Sequence, residues 1–144
     1  DVKHGRKMDQ HNESTIIHML KTYCKETNMH FTLFTGQENG KTMSHVKQIR
    51  LFSEARVVVG PHGSAMANVL YLQPHVGCSV CEFTSGTEIQ VQGGKFTQHY
   101  SALYGYMFQD LGIKYNLIPF TKQSTKQITF VNSSHINTFI ETLK

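Results

Sequence analysis

The segment from Val57 to Asn68 constrains the fold more than any other part of this chain. It begins with a run of valines, Val57–Val59, ends that run at Gly60, and continues through Pro-His-Gly into small residues that suit a helix. A continuous β-branched run is typical of a strand buried on both faces of a parallel sheet. In such sheets, ligands bind beyond the carboxyl ends of the strands. The segment therefore predicts an α/β sheet with a candidate ligand-binding loop at residues 61–64.

Helix-like and strand-like segments alternate along the whole chain. Apolar residues at helical spacing predict helices at residues 12–27, 43–54, 64–72, 97–111 and, at the C-terminus, 136–143. Strand patterns fall at residues 30–34, 56–60, 76–83, 113–119 and 128–131. Because the alternation contains neither an internal repeat nor a linker, we expect one domain over residues 1–144. We expect it to be an α/β domain, with a parallel sheet, helices on both faces and right-handed crossovers.

Local signals mark the ends of these elements. Asn12 is the expected N-cap of the first helix, and Asn39-Gly40 is the expected turn after the first strand. The polar stretch 84–96 predicts a loop, and we expect it to lie with loop 61–63 at the ligand-binding edge of the sheet.

Composition and charge are those of a folded domain, with 144 residues and 39% hydrophobic side chains. The formal net charge is +4, and Lys and Arg are scattered rather than gathered into a basic arm, so we expect no nucleic-acid partner. A modest positive field suits a phosphorylated ligand. No stretch is apolar and long enough to span a bilayer. The chain opens at Asp1 without a methionine, so a membrane anchor in a longer parent protein stays open.

The three cysteines cannot build a disulfide framework. Cys78 and Cys81 have the spacing of a metal-binding or redox pair, and His75 is close by in sequence. However, the segment has a strand pattern, and residues three apart on a strand point to opposite faces. We therefore expect buried thiols rather than a chelate.

Two tripeptides, Asn12-Glu13-Ser14 and Asn132-Ser133-Ser134, are acceptor sequons for N-glycosylation. Such sequons are used only in the secretory pathway. They indicate that compartment, although tripeptides of this kind also occur by chance.

The loop after the valine strand has the residues of an anion site. Gly60 and Gly63 allow close approach of the backbone to a ligand and permit positive φ. Free N–H groups at residues 64–66 can donate to a diphosphate, and Ser64 can cap the helix or offer its hydroxyl to a phosphate. His62 can donate from a ring nitrogen to the same anion. The alternative is a tight turn with no ligand.

Glu82 lies at the end of the next predicted strand. A carboxylate at that position can accept hydrogen bonds from both hydroxyls of a ribose, as acidic residues do in dinucleotide-binding folds. The alternative is a solvated charge at the end of a strand.

These residues carry a resemblance. The segment Gln48–Glu82, with its strand, Gly-x-His-Gly turn, apolar helix, Leu-x-Pro and closing Glu-Phe, resembles the C-terminal half of the enzymes of glycosyltransferase family 61. This family includes protein O-linked N-acetylglucosaminyltransferases and plant xylosyl- and arabinosyltransferases. The supporting matches are Arg6-Lys7 followed by Asn12-Glu13, Gly112–Tyr115, and Val131–Leu143.

The resemblance implies a Rossmann-like domain, the C-terminal half of a GT-B glycosyltransferase that holds a UDP-sugar of the UDP-N-acetylglucosamine or UDP-xylose class. Sugar is transferred to a hydroxyl of a protein or glycan acceptor, in the lumen of the endoplasmic reticulum or Golgi. The donor-binding residues implied are Arg6, Gly60, His62, Gly63, Ser64 and Glu82. Arg6 and His62 face the diphosphate, Gly63 and Ser64 supply N–H groups, and Glu82 holds the ribose.

The same resemblance implies a mechanism in which helix N-terminal dipoles and a cation such as Arg6 stabilise charge on the departing UDP. The chain has no Asp-x-Asp metal clamp, so we expect no obligatory metal or other cofactor. No catalytic base is assigned, because in this fold it often comes from the N-terminal half. Two alternatives stay open: a nucleotide-binding module or pseudo-transferase half without turnover, and an α/β domain that makes protein contacts alone.

Overall fold

The computed structural model describes residues 7–74, 77–85, 91–92, 95–96, 108, 111–122 and 128–143. The chain separates into two compact units. The terminal unit comprises residues 1–32, 85–87 and 118–144, and the site unit comprises residues 33–84 and 88–117.

Within the described residues, the strands are β1 Lys7–Met8, β2 Gln37–Glu38, β3 Lys41–Thr42, β4 Val57–Pro61, β5 Ser79–Ser85, β6 Val91–Gln92, β7 Lys95–Phe96, β8 Lys114–Lys122 and β9 Ile128–Val131. The helices are α1 Gln10–Glu26, α2 His45–Ser53, a 3₁₀ helix Ser64–Tyr71 and α3 Ser133–Glu141. No described helix combines the length and the apolar character needed to cross a membrane.

Three parallel strands form the sheet of the site unit. β4 pairs with β5 in parallel, from Val57 opposite Ser79 to Pro61 opposite Phe83. On the other side of β5, the main-chain N–H of Lys114 donates to the carbonyl of Cys78 at 3.0 Å. The Asn116 Nδ2 donates to the carbonyl of Val80 at 3.4 Å, so β5 and β8 advance in the same direction. The parallel α/β arrangement predicted from the valine run is confirmed in this unit.

The 3₁₀ helix covers one face of this sheet. Its buried residues Met66 and Val69, and Leu72 at its C-cap, recur every third residue and pack in one cluster with Cys78 and Val80. A 3₁₀ helix has three residues per turn, so side chains at i and i+3 lie directly above one another. Burying each large apolar side chain stabilises the fold by about 1.5–3 kcal/mol.

That spacing corrects one detail of the prediction. Met66 and Leu70 are four residues apart, so the predicted helix over residues 64–72, if it were an α-helix, would place both on the core side. Instead, Leu70 is 48% exposed, because at three residues per turn it lies about a third of a turn away from the buried row.

The predicted strand at residues 30–34 is wrong, because these residues pair with no described strand. Phe34 instead packs edge-on against Phe52 of α2, with 5.1 Å between ring centroids. The predicted turn after it is confirmed: β2 and β3 form a hairpin in which Asn39 and Gly40 both have positive φ, 51° and 75°. These values match a type I′ turn, whose twist suits a two-residue hairpin.

In the terminal unit, α1 packs against α3 and begins earlier than predicted. The N-cap is Asp9, whose carboxylate accepts a hydrogen bond from the N–H of Asn12 at 2.9 Å. The prediction that Asn12 is the N-cap is therefore wrong. Asn12 lies inside the helix, and its buried side chain donates to the carbonyl of Val131 at 2.8 Å and accepts from the N–H of Val131 at 2.9 Å.

The strand directions in the terminal unit are mixed, which corrects the expectation of a wholly parallel sheet. β1 pairs with β9 in parallel, but β9 pairs with β8 in antiparallel fashion, with Phe120 opposite Val131. A parallel crossover needs about a dozen residues or more, and the link from Lys122 to Ile128 is too short for one. The predicted helix at residues 97–111 lies largely outside the described residues. The predicted loop at 84–96 is wrong in part, because β6 and β7 pair there in antiparallel fashion, with Val91 opposite Phe96.

Candidate functional site

The candidate site is the connection between β4 and the 3₁₀ helix. β4 ends at Pro61, and the N–H of His62 donates to the carbonyl of Phe83 in β5, at 2.8 Å. The carbonyl of Gly63 then accepts from the N–H of Met66 at 2.9 Å, which closes the first turn of the helix. The loop is thus anchored on both sides, and the predicted order of strand, turn and helix is confirmed.

The start of the 3₁₀ helix leaves main-chain donors free. No hydrogen bond joins the N–H groups of Gly63, Ser64 or Ala65 to another described residue, and all three residues are exposed. The first N–H groups of a helix have no partner within it and can donate to an anion. Because the N–H of Met66 is engaged, the predicted set of free donors is shifted by one residue towards the N-terminus.

Ser64 does not cap the helix. Gly63 occupies the N-cap position, no described side chain accepts a hydrogen bond there, and Ser64 is the first helical residue. The capping alternative for Ser64 is therefore wrong, and its exposed hydroxyl remains available to a ligand.

Gly60 and Gly63 could adopt left-handed backbone conformations, but neither does so here. Gly63 has φ 163° and ψ −179°, which is extended backbone that any residue adopts. A Cβ added at Gly63 would meet no atom of a described residue within 4 Å, whereas one at Gly60 would lie 3.6 Å from the Met66 sulfur. The space in front of Gly63 is open, and neither the conformation nor the packing of this protein requires a glycine there.

The buried carboxylate of Glu82 contacts the loop through His62. Glu82 is 0% exposed, which excludes the alternative of a solvated strand-end charge. One of its oxygens, Oε1, contacts Nδ1 of His62, and the other, Oε2, accepts a hydrogen bond from the hydroxyl of Tyr115 on β8. A buried charge is stable only when it is paired and hydrogen-bonded, and these two partners meet that need.

This arrangement orients the His62 ring. When Nδ1 donates its proton to Glu82, the other ring nitrogen, Nε2, is the one left for a ligand. The His62 side chain is 22% exposed, so the ring is held from the protein side and still reaches solvent.

The charge of Glu82 also affects its neighbour in sequence. Burial, and to a lesser degree the adjacent Glu82 carboxylate, raise the pKa of the Cys81 thiol to about 12. Cys78 is buried as well, and its thiol donates to the carbonyl of Gln73 at 3.3 Å. The prediction of buried thiols is confirmed, while His75 lies outside the described residues. Within the described part of the chain, no group of His, Cys, Asp and Glu side chains could hold a metal ion.

Comparison with known families shows which family the chain belongs to. Residues 3–81, more than half of the chain, match the model of the family Glycosyltransferase 61. The chain belongs to glycosyltransferase family 61. As a member, it is assigned the general activity of that family, the transfer of a sugar from a nucleotide-sugar donor to an acceptor. Neither the curated proteins nor the solved structures include a significant match.

The part of this glycosyltransferase that matches the family model contains Arg6 and the loop from Gly60 to Ser64, and it ends one residue before Glu82. Arg6 lies outside the described residues, so its predicted place at the diphosphate stays a prediction. The ribose contact of Glu82 also stays a prediction. Since the Glu82 side chain is 0% exposed, that contact requires the residues that cover the carboxylate to move.

Sequence reasoning missed Tyr115 as part of the site. Its ring stacks on Phe108, with 5.6 Å between centroids, and its hydroxyl reaches Glu82 across the β5–β8 pair. The available signal was the strand pattern at 113–119, which would place Tyr115 beside the preceding strand in a parallel sheet. The pattern alone did not specify which face of the sheet Tyr115 would occupy.

Proposed function

We propose that this chain is the donor-binding, C-terminal half of a GT-B glycosyltransferase. In this proposal it binds a UDP-sugar of the UDP-N-acetylglucosamine or UDP-xylose class and serves transfer to a protein or glycan hydroxyl in the lumen of the endoplasmic reticulum or Golgi. The single observation that carries the proposal is a set of exposed N–H groups, those of residues 63–65 beside His62, which have no hydrogen-bond partner among the described residues and lie at the carboxyl end of a parallel strand.

The donor diphosphate would lie against these N–H groups. In the doubly protonated form, His62 donates from Nδ1 to Glu82 and from Nε2 to a phosphate oxygen. As the acceptor hydroxyl attacks the anomeric carbon, negative charge grows on the β-phosphate of the leaving UDP. Donors fixed in place before the reaction stabilise that charge without reorganising. Arg6 would add a positive charge at the same phosphate.

His62→Ala tests the site directly. A hydrogen bond to a charged group contributes about 1.5–3 kcal/mol, so the dissociation constant for UDP should rise about 10- to 150-fold in calorimetry. His135→Ala is the matched control, because His135 is exposed on α3, outside the site unit. Parent-like UDP binding by a folded His62→Ala variant would remove the proposed role.

Glu82→Gln separates two roles of the carboxylate. If Glu82 holds the ribose, the variant loses affinity for UDP and keeps its affinity for inorganic pyrophosphate, which has no ribose. If Glu82 acts through His62, both affinities fall together. A folded variant that binds both probes like the parent would exclude both roles.

Cofactor dependence and turnover have separate tests. The sequence has no Asp-x-Asp clamp, and we propose that donor binding needs no divalent metal. UDP affinity should therefore survive EDTA, and its complete loss on chelation would contradict the proposal.

Sugar transfer is measured with the N-terminal half supplied. UDP binding without any transfer would favour a nucleotide-binding module.

A further inference from the structure

The two sequons of this chain lie in opposite structural settings. Asn12 is 3% exposed, and both ends of its side-chain amide are bonded to the main chain of Val131. The Nδ2 that would carry a glycan is the atom that donates to the Val131 carbonyl at 2.8 Å. A sugar on this nitrogen has no space in the folded protein.

Asn132 has the reverse arrangement. It is exposed at the N-cap of α3, where its Oδ1 accepts from the N–H of Ser134 at 3.0 Å and from the Ser134 hydroxyl at 2.9 Å. Its Nδ2 donates to no described residue. The cap therefore uses the oxygen of the amide and leaves the nitrogen available.

We propose that Asn132 is the glycosylated residue of this chain and that Asn12 is unmodified in the folded protein. The inference rests on the proposed passage through the secretory pathway. The co-reactant is an oligosaccharide on a lipid pyrophosphate. The Nδ2 of Asn132 attacks its C1, a C–N bond forms as the C–O bond to the pyrophosphate breaks, the amide loses one proton, and the lipid pyrophosphate leaves. Because the cap depends on Oδ1, the helix retains it after modification.

Matched serine variants test the assignment. The full chain is directed into the secretory pathway of a eukaryotic cell, and the secreted protein is analysed by mass spectrometry before and after peptide N-glycosidase. Ser134→Ala removes the second sequon, and Ser14→Ala removes the first without altering Asn12. Asn132→Asp removes the acceptor nitrogen but keeps an oxygen that can cap α3.

The parent and Ser14→Ala should each carry one glycan, located at Asn132 by peptide mapping. Ser134→Ala and Asn132→Asp should carry none. A glycan at Asn12 in secreted, folded protein, a parent without any glycan, or a glycan that persists in Ser134→Ala would each overturn the inference. None of these readouts involves UDP, so they stand apart from the test of the donor site.

Discussion

Replacing Gly63 with alanine separates a ligand-binding role of the loop from a structural one. The backbone at Gly63 is extended, and within the described part of the chain the added methyl group would meet no atom closer than 4 Å. The folded protein therefore accommodates alanine. A glycine-to-alanine change at a compatible position stabilises a protein by about 0.4–1 kcal/mol, because the unfolded chain loses conformational freedom. The free energy of unfolding should thus stay level or rise slightly.

Ligand binding should respond in the opposite direction. The methyl group would occupy the open space beside three free N–H groups, where the diphosphate is proposed to lie. Forcing an extra methyl into a close contact costs about 1–3 kcal/mol. At 1.4 kcal/mol per tenfold, the dissociation constant for UDP should rise about 5- to 150-fold.

The assay combines urea unfolding with UDP calorimetry on the same preparation. Gly112→Ala is the matched control: Gly112 has φ 70°, where a side chain costs about 1–2 kcal/mol, so this variant should lose stability and bind UDP as the parent does. If Gly63→Ala is as stable as the parent and binds UDP equally well, no diphosphate approaches this loop and the reasoning fails.

Three further substitutions probe the buried polar groups. Tyr115→Phe keeps the ring but removes the hydroxyl that donates a hydrogen bond to Glu82. The free energy of unfolding in urea should fall by about 1–3 kcal/mol. An unchanged value would show that the contact does not stabilise the fold. Asn12→Asp keeps the shape of the side chain but cannot donate to the Val131 carbonyl. We expect a similar loss in the free energy of unfolding in urea. A urea midpoint equal to that of the parent would contradict this prediction. The Cys81 thiol has a pKa of about 12 when folded against an ordinary value of 9.0, so its stabilising contribution is complete below pH 9 and is lost as the pH rises towards 12. Over that range the parent should lose up to about 1.4 kcal/mol per pH unit more than Cys81→Ala, and equal slopes would contradict the shift.

The parts of the fold that can be predicted well from sequence are those encoded locally. The valine run indicates a parallel strand, and the glycine and proline after it indicate the turn into a helix, because the backbone preferences of these residue types act at their own positions. The hairpin turn at Asn39-Gly40 is predictable for the same reason. The candidate loop and His62 could therefore be identified from the residue pattern alone.

The missed features depend on partners far apart in sequence. Asn12 has the residue type of a helix cap, but its partner Val131 is 119 positions away. Tyr115 is 33 positions from Glu82, and a single sequence does not show that the two side chains meet. The antiparallel β8–β9 pair departs from the regular alternation of strands and helices, and the short link between these two strands was the only local signal for it.

The three-residue period of the Ser64–Tyr71 helix limits how this region can vary in length. An insertion of one residue after Met66 would turn every later side chain by about 120° and move Val69 and Leu72 away from the core. Three inserted residues would instead add a full turn, so that these side chains would face the core again. Relatives that keep this helix should therefore differ here in steps of three.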